Sequence, residues 1–551
     1  MNNTKYDAIV IGSGVAGSIA AKELTERGLH TVLLEAGPFL GEKDFPPSMD
    51  AKTLKGVDVL SRMKIALTGQ MIQARATYIS DENRHLFVND RENPYTTPLG
   101  RYFLWIRGRQ LGGRLHTYGR VLLRMSDYDF KAASRDGYGQ DWPISYSDLA
   151  PYYDRIEEYI GVYGCDDHVP NLPDGHYIKS PILTESEKKF KRNVEAKWPE
   201  RKVISWRFAG PNLRRVPRGV QSAIDTGLLD LRTNAVAKRL AIDPSSGKAT
   251  GVVYVDRKSR EERSVHGKVV VLCASAIESV RLLLNSACSS HPNGVGNSSG
   301  HLGRYFMDQT PSLVVGSVPD SQGWYEDDTV PQDPSRRAVG GIYVPRFQNL
   351  DTVTHPDFIR GFGYQGVVGR WFVPDGQPSQ FGLMGFGEML AREENRITLD
   401  RRTKDAWGIP APRIDCTLGE NDLKLMKEQL RCVKEMVLDN GFKIDFAGTA
   451  LGLDEPNTAM RNSSQLMRLF FRYSFGKSLG IGAAIHESGG ARMGNDPSNS
   501  VVNQHNQCWD ADNVFVTDAS SFVTAGTVGP SLTIMAITAR ACEFIASRHS
   551  C

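Results

Sequence analysis

The chain has 551 residues, 40% of them hydrophobic and 23% charged, with 66 basic against 63 acidic side chains. That is ordinary globular composition, which excludes a disordered chain, and the length argues for two or more substructures or one large composite unit. A net charge of +3, with no basic tract beyond short pairs, excludes an electrostatic nucleic-acid binder. The eight cysteines lie far apart without a CxxC pair, so no zinc ribbon, thioredoxin-type site or other metal centre is read. They are expected to be reduced thiols. The segment MNNTKYDAIVIGSG shows neither a basic-then-apolar leader nor twin arginines, and no apolar run reaches about 18 residues. A cytoplasmic protein without a membrane span is expected.

Tyr6 to Ile11 is a short apolar run rich in branched residues, the pattern of a buried parallel strand. It runs into Gly12-Ser13-Gly14-Val15-Ala16-Gly17, and Ser18 to Arg27 then reads as an amphipathic helix stopped by Gly28. His30 to Leu34 makes a second strand ending at Glu35. Each part has a physical task. Gly12 permits the tight turn, Gly14 lets backbone approach a pyrophosphate, and Gly17 allows close helix–strand packing. The helix N-terminus offers unpaired N–H groups to phosphate. Glu35 can accept from ribose hydroxyls and would repel a 2′-phosphate, which disfavours NADP. This unit predicts a dinucleotide site and leaves FAD and NAD open.

Further along, Trp105 to Arg120 pairs Gly112 and Gly113 with flanking arginines, Arg109 among them. Such a loop can bring backbone and guanidinium groups to a ligand, and taken alone it also reads as a basic surface turn. Leu231 to Ile242 and Gly251 to Arg257 alternate as strands of a small antiparallel layer. Lys268 to Leu272 (KVVVL) is another buried strand, followed by Cys273, Ala274 and a helix through Val280 to Leu284. Pro311 to Gly387 is strand-rich and aromatic, as suits a curved sheet walling a pocket, and Asn421 to Asn440 reads as a helix packed on it. The last block carries His486-Glu-Ser-Gly-Gly-Ala-Arg492, then Asn513 to Asp518 as a strand ending in an acid, then Gly529-Pro530-Ser531 opening a helix through Ala546.

These pieces together resemble the glucose–methanol–choline (GMC) oxidoreductases over nearly the whole chain. The resemblance rests on GSGVAG…LLEAG, RGRQLGGRLHTYGR, VVLCASAIESVRLLL and HESGGARMG…VTDASSFVTAGTVGPSLTIMAITARA. Within the family, ENPYTTP, RMSDYDF, DWPISYSDLAPYY and ENRITLD look most like bacterial sugar and glycoside oxidoreductases related to pyranose oxidase.

The resemblance implies an α/β chain in which a Rossmann-like FAD-binding domain (1–40, 101–150, 201–310, 481–551) interleaves with an α+β substrate domain (151–200, 311–480) carrying a mainly antiparallel sheet. Residues 41–100 would form an insertion or lid. It implies FAD held by Gly12, Gly14, Val15, Ala16, Gly17, Glu35, Ala36, Arg109, Gly112, Gly113, Thr117, Val236, Ala274, Asp518, Ala519, Pro530 and Ser531. It further implies that a secondary hydroxyl of a sugar or glycoside is oxidised to a ketone by hydride transfer to flavin N5, with His486 as base. Oxygen or a redox carrier would take the electrons.

Two positions depart from the family pattern. Where some relatives carry the histidine that attaches FAD covalently, this chain has Thr117, with His116 one place early, so non-covalent FAD is expected. Where the family has His or Asn before the final proline, this chain has Gly529. Ser531, Thr527, His505 or a water would have to share the substrate hydroxyl. Competing readings are oxidation of a non-sugar alcohol, an NAD-dependent dehydrogenase sharing only the N-terminal unit, a lyase or isomerase with structural FAD, and a non-catalytic flavin subunit of an electron-transfer assembly.

Overall fold

The strand Lys5–Ile11 is continuous apolar sequence because both faces of its sheet are covered, and it pairs in parallel with Thr31–Leu34 on one side and Glu262–Leu272 on the other. Leu229–Arg232 extends this parallel core beyond Thr31–Leu34, and Val514–Val516 joins at Glu262–Leu272. In this computed structural model the described residues are 5–44, 59–76, 78–81, 83–210, 215–325, 330–331, 339–351, 354–454, 465, 469 and 478–549. Parts of the expected lid (45–58), most of 455–477 and Cys551 lie outside them.

The long strand Glu262–Leu272 does two jobs, and its sequence shows both. Its first half, ERSVH, alternates in burial and pairs antiparallel with Ala249–Asp256, which pairs with Ala235–Ile242. Its second half, KVVVL, is almost wholly buried and belongs to the parallel core. The small antiparallel layer expected at 231–257 is therefore an extension of the main sheet. Leu229–Arg232 is not part of that layer but a parallel edge strand, half-buried throughout, so its pattern carries no sign of its partner.

A second sheet is antiparallel throughout, in the order Gly452–Leu453, Lys443–Thr449, Gln309–Gln322, Pro378–Glu388, Phe362–Val368, Ile342–Val344, Ile204–Ser205. Its strands alternate as period-two geometry requires. Val314, Phe362, Tyr364, Phe381 and Leu383 point to one face, where they pack with Leu425, Val433 and Met436 of the helix Glu420–Asp439. The intervening residues Leu313, Met384 and Gln365 stand abreast in register on the other face and are only half-buried, because a cavity lies against them. No helix among the described residues is long and apolar enough to cross a membrane, and no group of three or more His, Cys, Asp or Glu among them could hold a metal.

Candidate active site

Three parallel strands end in residues that open on one cavity of about 500 Å³: Ile11 leads to Gly12, Leu34 to Glu35, and Leu272 to Cys273 and Ala274. Val514–Val516 leads to Asp518 on the same wall. This is where a doubly wound sheet leaves its crevice. The glycines divide the work. Gly12 has φ +95°, and a Cβ there would sit 2.5 Å from the Cys273 carbonyl oxygen. A Cβ on Gly17 would lie 1.7 Å from the Gly12 carbonyl oxygen, so Gly17 seats the helix Val15–Glu26 on the turn and does not reach the cavity wall. A Cβ on Gly14 would meet nothing within 4 Å; this residue, with Val15 and Ala16, faces the open space.

Glu35 is buried. Its carboxylate accepts from the Ser13 hydroxyl (2.5 Å), the Ser13 N–H (3.2 Å) and the Gly37 N–H (2.7 Å). Burial pushes its pKa up. A carboxylate has about four acceptor positions, so one remains for a ligand. Ala36, Val236, Arg109, Gly113, Thr117, Ala519, Pro530 and Ser531 also line the cavity. Arg109 is tied to Glu278 (3.1 Å) and Asn93 (2.5 Å). Asp518 accepts from Ser279 and Ser520.

Some expected residues stand elsewhere. Gly112 is off the wall, its N–H donated to Ser13 Oγ at 2.8 Å, because only its neighbour Gly113 turns inward. His116 is also off the wall, with Nε2 2.8 Å from the Leu111 carbonyl oxygen. His505 stacks on Phe544 at 4.1 Å, and the Thr527 carbonyl receives the Tyr343 hydroxyl, so neither lines the cavity beside His486. Arg492 stacks on Tyr305 at 3.5 Å and donates to the Asn499 carbonyl, a structural role.

His486 is half-buried on the cavity wall. Its ring stacks on Phe386 (5.1 Å), its Nδ1 lies 2.6 Å from Gln309 Oε1, and its backbone N–H donates to Asp308 Oδ1 (2.9 Å). Burial first, then the Arg114 guanidinium, push its pKa from 6.5 down to about 3, so the imidazole is neutral across the physiological range. A Cβ on Gly529 would stand 3.7 Å from Cε1 and Nε2, which places Gly529 directly beside the ring.

Behind His486, Asp308 Oδ2 and Glu487 Oε1 are buried without a hydrogen-bond partner among the described residues, while the other Glu487 oxygen pairs with Arg114 (2.7 Å). Burial, then the Glu487 carboxylate, raise Asp308 to about 7. The folded state therefore holds a proton that the unfolded chain, at 3.8, gives up. Stability from this group is present at low pH and lost as pH rises through about 7. Asp308→Asn, which keeps an acceptor for the His486 N–H, is expected to be more stable to unfolding than the parent at pH 8 by about 2–4 kcal/mol and to match it below about pH 4, as denaturant or thermal unfolding at the two pH values would show. Equal melting at both pH values would remove Asp308 as a buried charge. His486 runs the opposite way, costing stability as pH falls from 6.5 toward about 3.

With this geometry in view, two family profiles, both described as GMC oxidoreductase, match residues 6–310 and 391–538. The chain belongs to the GMC oxidoreductase family. It is similar to a 2-methyl-1,2-propanediol dehydrogenase of Mycolicibacterium austroafricanum, 29% identical, covering 99% of this chain and 96% of that one. It is also similar to a 6'''-hydroxyparomomycin C oxidase of Streptomyces lividus, 26% identical over 98% and 91%. Among solved structures, a formate oxidase variant of Aspergillus oryzae shares the fold with TM-score 0.66 at 15% identity, covering 100% and 99%. GMC enzymes are FAD flavoproteins, and FAD is the cofactor of this oxidoreductase. The cavity fits it: room over Gly14, two helix N-termini (Val15–Glu26 and Ser531–His549) opening on the lining for anionic groups, and a spare acceptor on Glu35.

Segments far apart in the chain also supply Gln309, Phe386, Arg114 and Gln365, none of which the sequence reading singled out as a site residue. Alternation along GLMGFGE carried the signal for Phe386, since it shares a face with Met384; no local pattern marked Gln309.

Proposed function

We propose that this GMC oxidoreductase oxidises the CH–OH group of a small polyhydroxylated compound, a sugar, glycoside or short diol, to a carbonyl. The observation that carries the reading is the half-buried, neutral imidazole of His486 on the wall of the same cavity as the glycine turn. Bound FAD supplies the hydride acceptor. Gly14, Val15, Ala16 and the first turn of the helix Ser531–His549 would hold its phosphate and ring ends, Glu35 its ribose. His486 would take the hydroxyl proton at a ring nitrogen, the role for which an uncharged imidazole is suited. Arg114 and the burial that keep the ring neutral before the reaction also favour prompt return of that proton.

Substrate class is supported from two sides. Leu313, Met384 and Phe386 offer an apolar, partly aromatic surface, the kind that packs on the C–H face of a sugar ring or the alkyl end of a diol, and Gln365 beside them offers one amide. Relatives carrying names of this chemistry include the diol dehydrogenase and hydroxyparomomycin oxidase above.

The test is anaerobic mixing of the holoprotein with short diols, hexoses and glycosides while following the visible flavin band. Bleaching by at least one member, with a carbonyl product, is expected. Product without bleaching would replace the reading with lyase or isomerase chemistry.

A further inference from the structure

Gln309, the first residue of the strand Gln309–Gln322, is 2% exposed. Its Nε2 sits among three backbone carbonyls, those of Ala525 (3.3 Å), Gly526 (2.8 Å) and Val528 (2.9 Å). These carbonyls belong to the loop that leads to Gly529 and Pro530. Turning the amide over would aim Oε1 at three acceptors, which is repulsive, so the network assigns the amide orientation. Oε1 must then face His486 Nδ1, 2.6 Å away. An amide oxygen only accepts, so the proton of the neutral ring is on Nδ1. Nε2, on the Gly529 side, keeps its lone pair.

We propose that Gln309 is a positioning residue that locks His486 in the Nδ1–H tautomer, leaving Nε2 as the sole acceptor for the substrate hydroxyl. The proposal rests on the reading of His486 as the base. A ring protonated on Nε2 would be a donor at that place and could take no proton from an alcohol, so every molecule in the wrong tautomer is idle. The clamp is neutral by construction. The charged groups facing His486 are Arg114, the Glu487 that Arg114 pairs, and Asp308 at the backbone N–H; none touches Nδ1. An amide thus sets the tautomer without the rise in basicity that a carboxylate on Nδ1 would bring. The same amide ties the ring to the loop bearing Gly529, so ring and loop keep one geometry.

The direct test uses the wild-type holoprotein labelled with ¹⁵N-histidine, with the His486 signal assigned by comparison with His486→Gln. Nitrogen shifts showing Nδ1–H are expected; Nε2–H, or a mixed population, overturns the proposal. A second arm uses Gln309→Met and Gln309→Glu. The methionine variant should keep FAD yet reduce it about 10- to 100-fold more slowly at little-changed KM. The glutamate variant should introduce an acid limb into the rate–pH profile, displaced at least one pH unit above any limb of the parent. A merely structural glutamine would alter melting temperature without moving that limb. If Gln309→Met reduces FAD at the parent rate while His486→Ala does not, the clamp fails and the base stands. If His486→Ala itself reduces FAD normally, the underlying reading fails. Should either Gln309 variant not fold, the nitrogen shifts of the parent decide alone.

Discussion

His486→Ala is expected to fold, bind FAD with an unchanged visible spectrum, and reduce it with substrate about 10²–10⁴-fold more slowly than the parent, the usual worth of a positioned general base. The folding half of the expectation follows from what surrounds the ring. Its hydrogen-bonding neighbours Gln309 and Asp308 keep other partners, the carbonyls at 525–528 and backbone N–H groups, so the truncation leaves no bare charge that was not already present. The void beside Phe386 costs a few kcal/mol at most. The kinetic half follows from position, because no other imidazole lines the cavity among the described residues. Stopped-flow bleaching under anaerobic conditions measures it. A variant that bleaches at the parent rate would place the base elsewhere, with Ser531 the first residue to examine.

Gly17→Ala carries the second large effect, this time on folding and cofactor retention. The added methyl would lie 1.7 Å from the Gly12 carbonyl oxygen and 2.7 Å from its carbon. Both are backbone atoms of the turn itself, so no side chain can swing aside; the helix Val15–Glu26 must lift off the sheet. Overpacking of this kind costs about 3 kcal/mol or more, and it also spoils the seat of the helix N-terminus. Loss of FAD during purification and a melting temperature several degrees lower are expected. Gly28→Ala makes the control: φ is +85° but a Cβ there meets nothing within 4 Å, so only the backbone term of about 1 kcal/mol applies and FAD stays bound. If both variants behaved alike, close packing at the turn would not be what holds this unit.

The comparison of these glycines shows why the nucleotide end was legible in the sequence. Strand, turn, helix and acid lie within about forty consecutive residues, and local sterics dictate each of them. Gly12 and Gly17 act on their own chain neighbours, so a one-dimensional pattern carries the information. The chemical end is different. His486 was marked by its glycine-rich surroundings, but the amide at its Nδ1 comes from 177 residues away, and Phe386 and Arg114 arrive from two further segments. Nothing local distinguishes Gln309 from any glutamine opening a strand. His505 illustrates the opposite error: it is a sequence candidate to stand in for the side chain that Gly529 lacks, while the fold turns it onto Phe544. The edge strand Leu229–Arg232 was misplaced because a half-buried edge looks alike whether its neighbour runs parallel or antiparallel.

The arrangement also explains how a ring with so little basicity would serve as the proposed base. Half-buried beside Arg114, His486 is held neutral near neutral pH by desolvation first and the guanidinium second. Its proton affinity is needed only while charge is moving, and an enclosed, preorganised site makes each such interaction stronger than it would be in water.

The most direct test is a crystal structure of the holoprotein with an unreactive alcohol analogue. The account predicts phosphates over Gly14 at the N-terminus of Val15–Glu26, the reactive face of the flavin turned toward the sheet bearing Leu313 and Met384, and the analogue's oxygen about 2.6–3.2 Å from His486 Nε2. An analogue bound away from that nitrogen, or an imidazole facing it through a different atom while Nε2 is buried in protein, would contradict it.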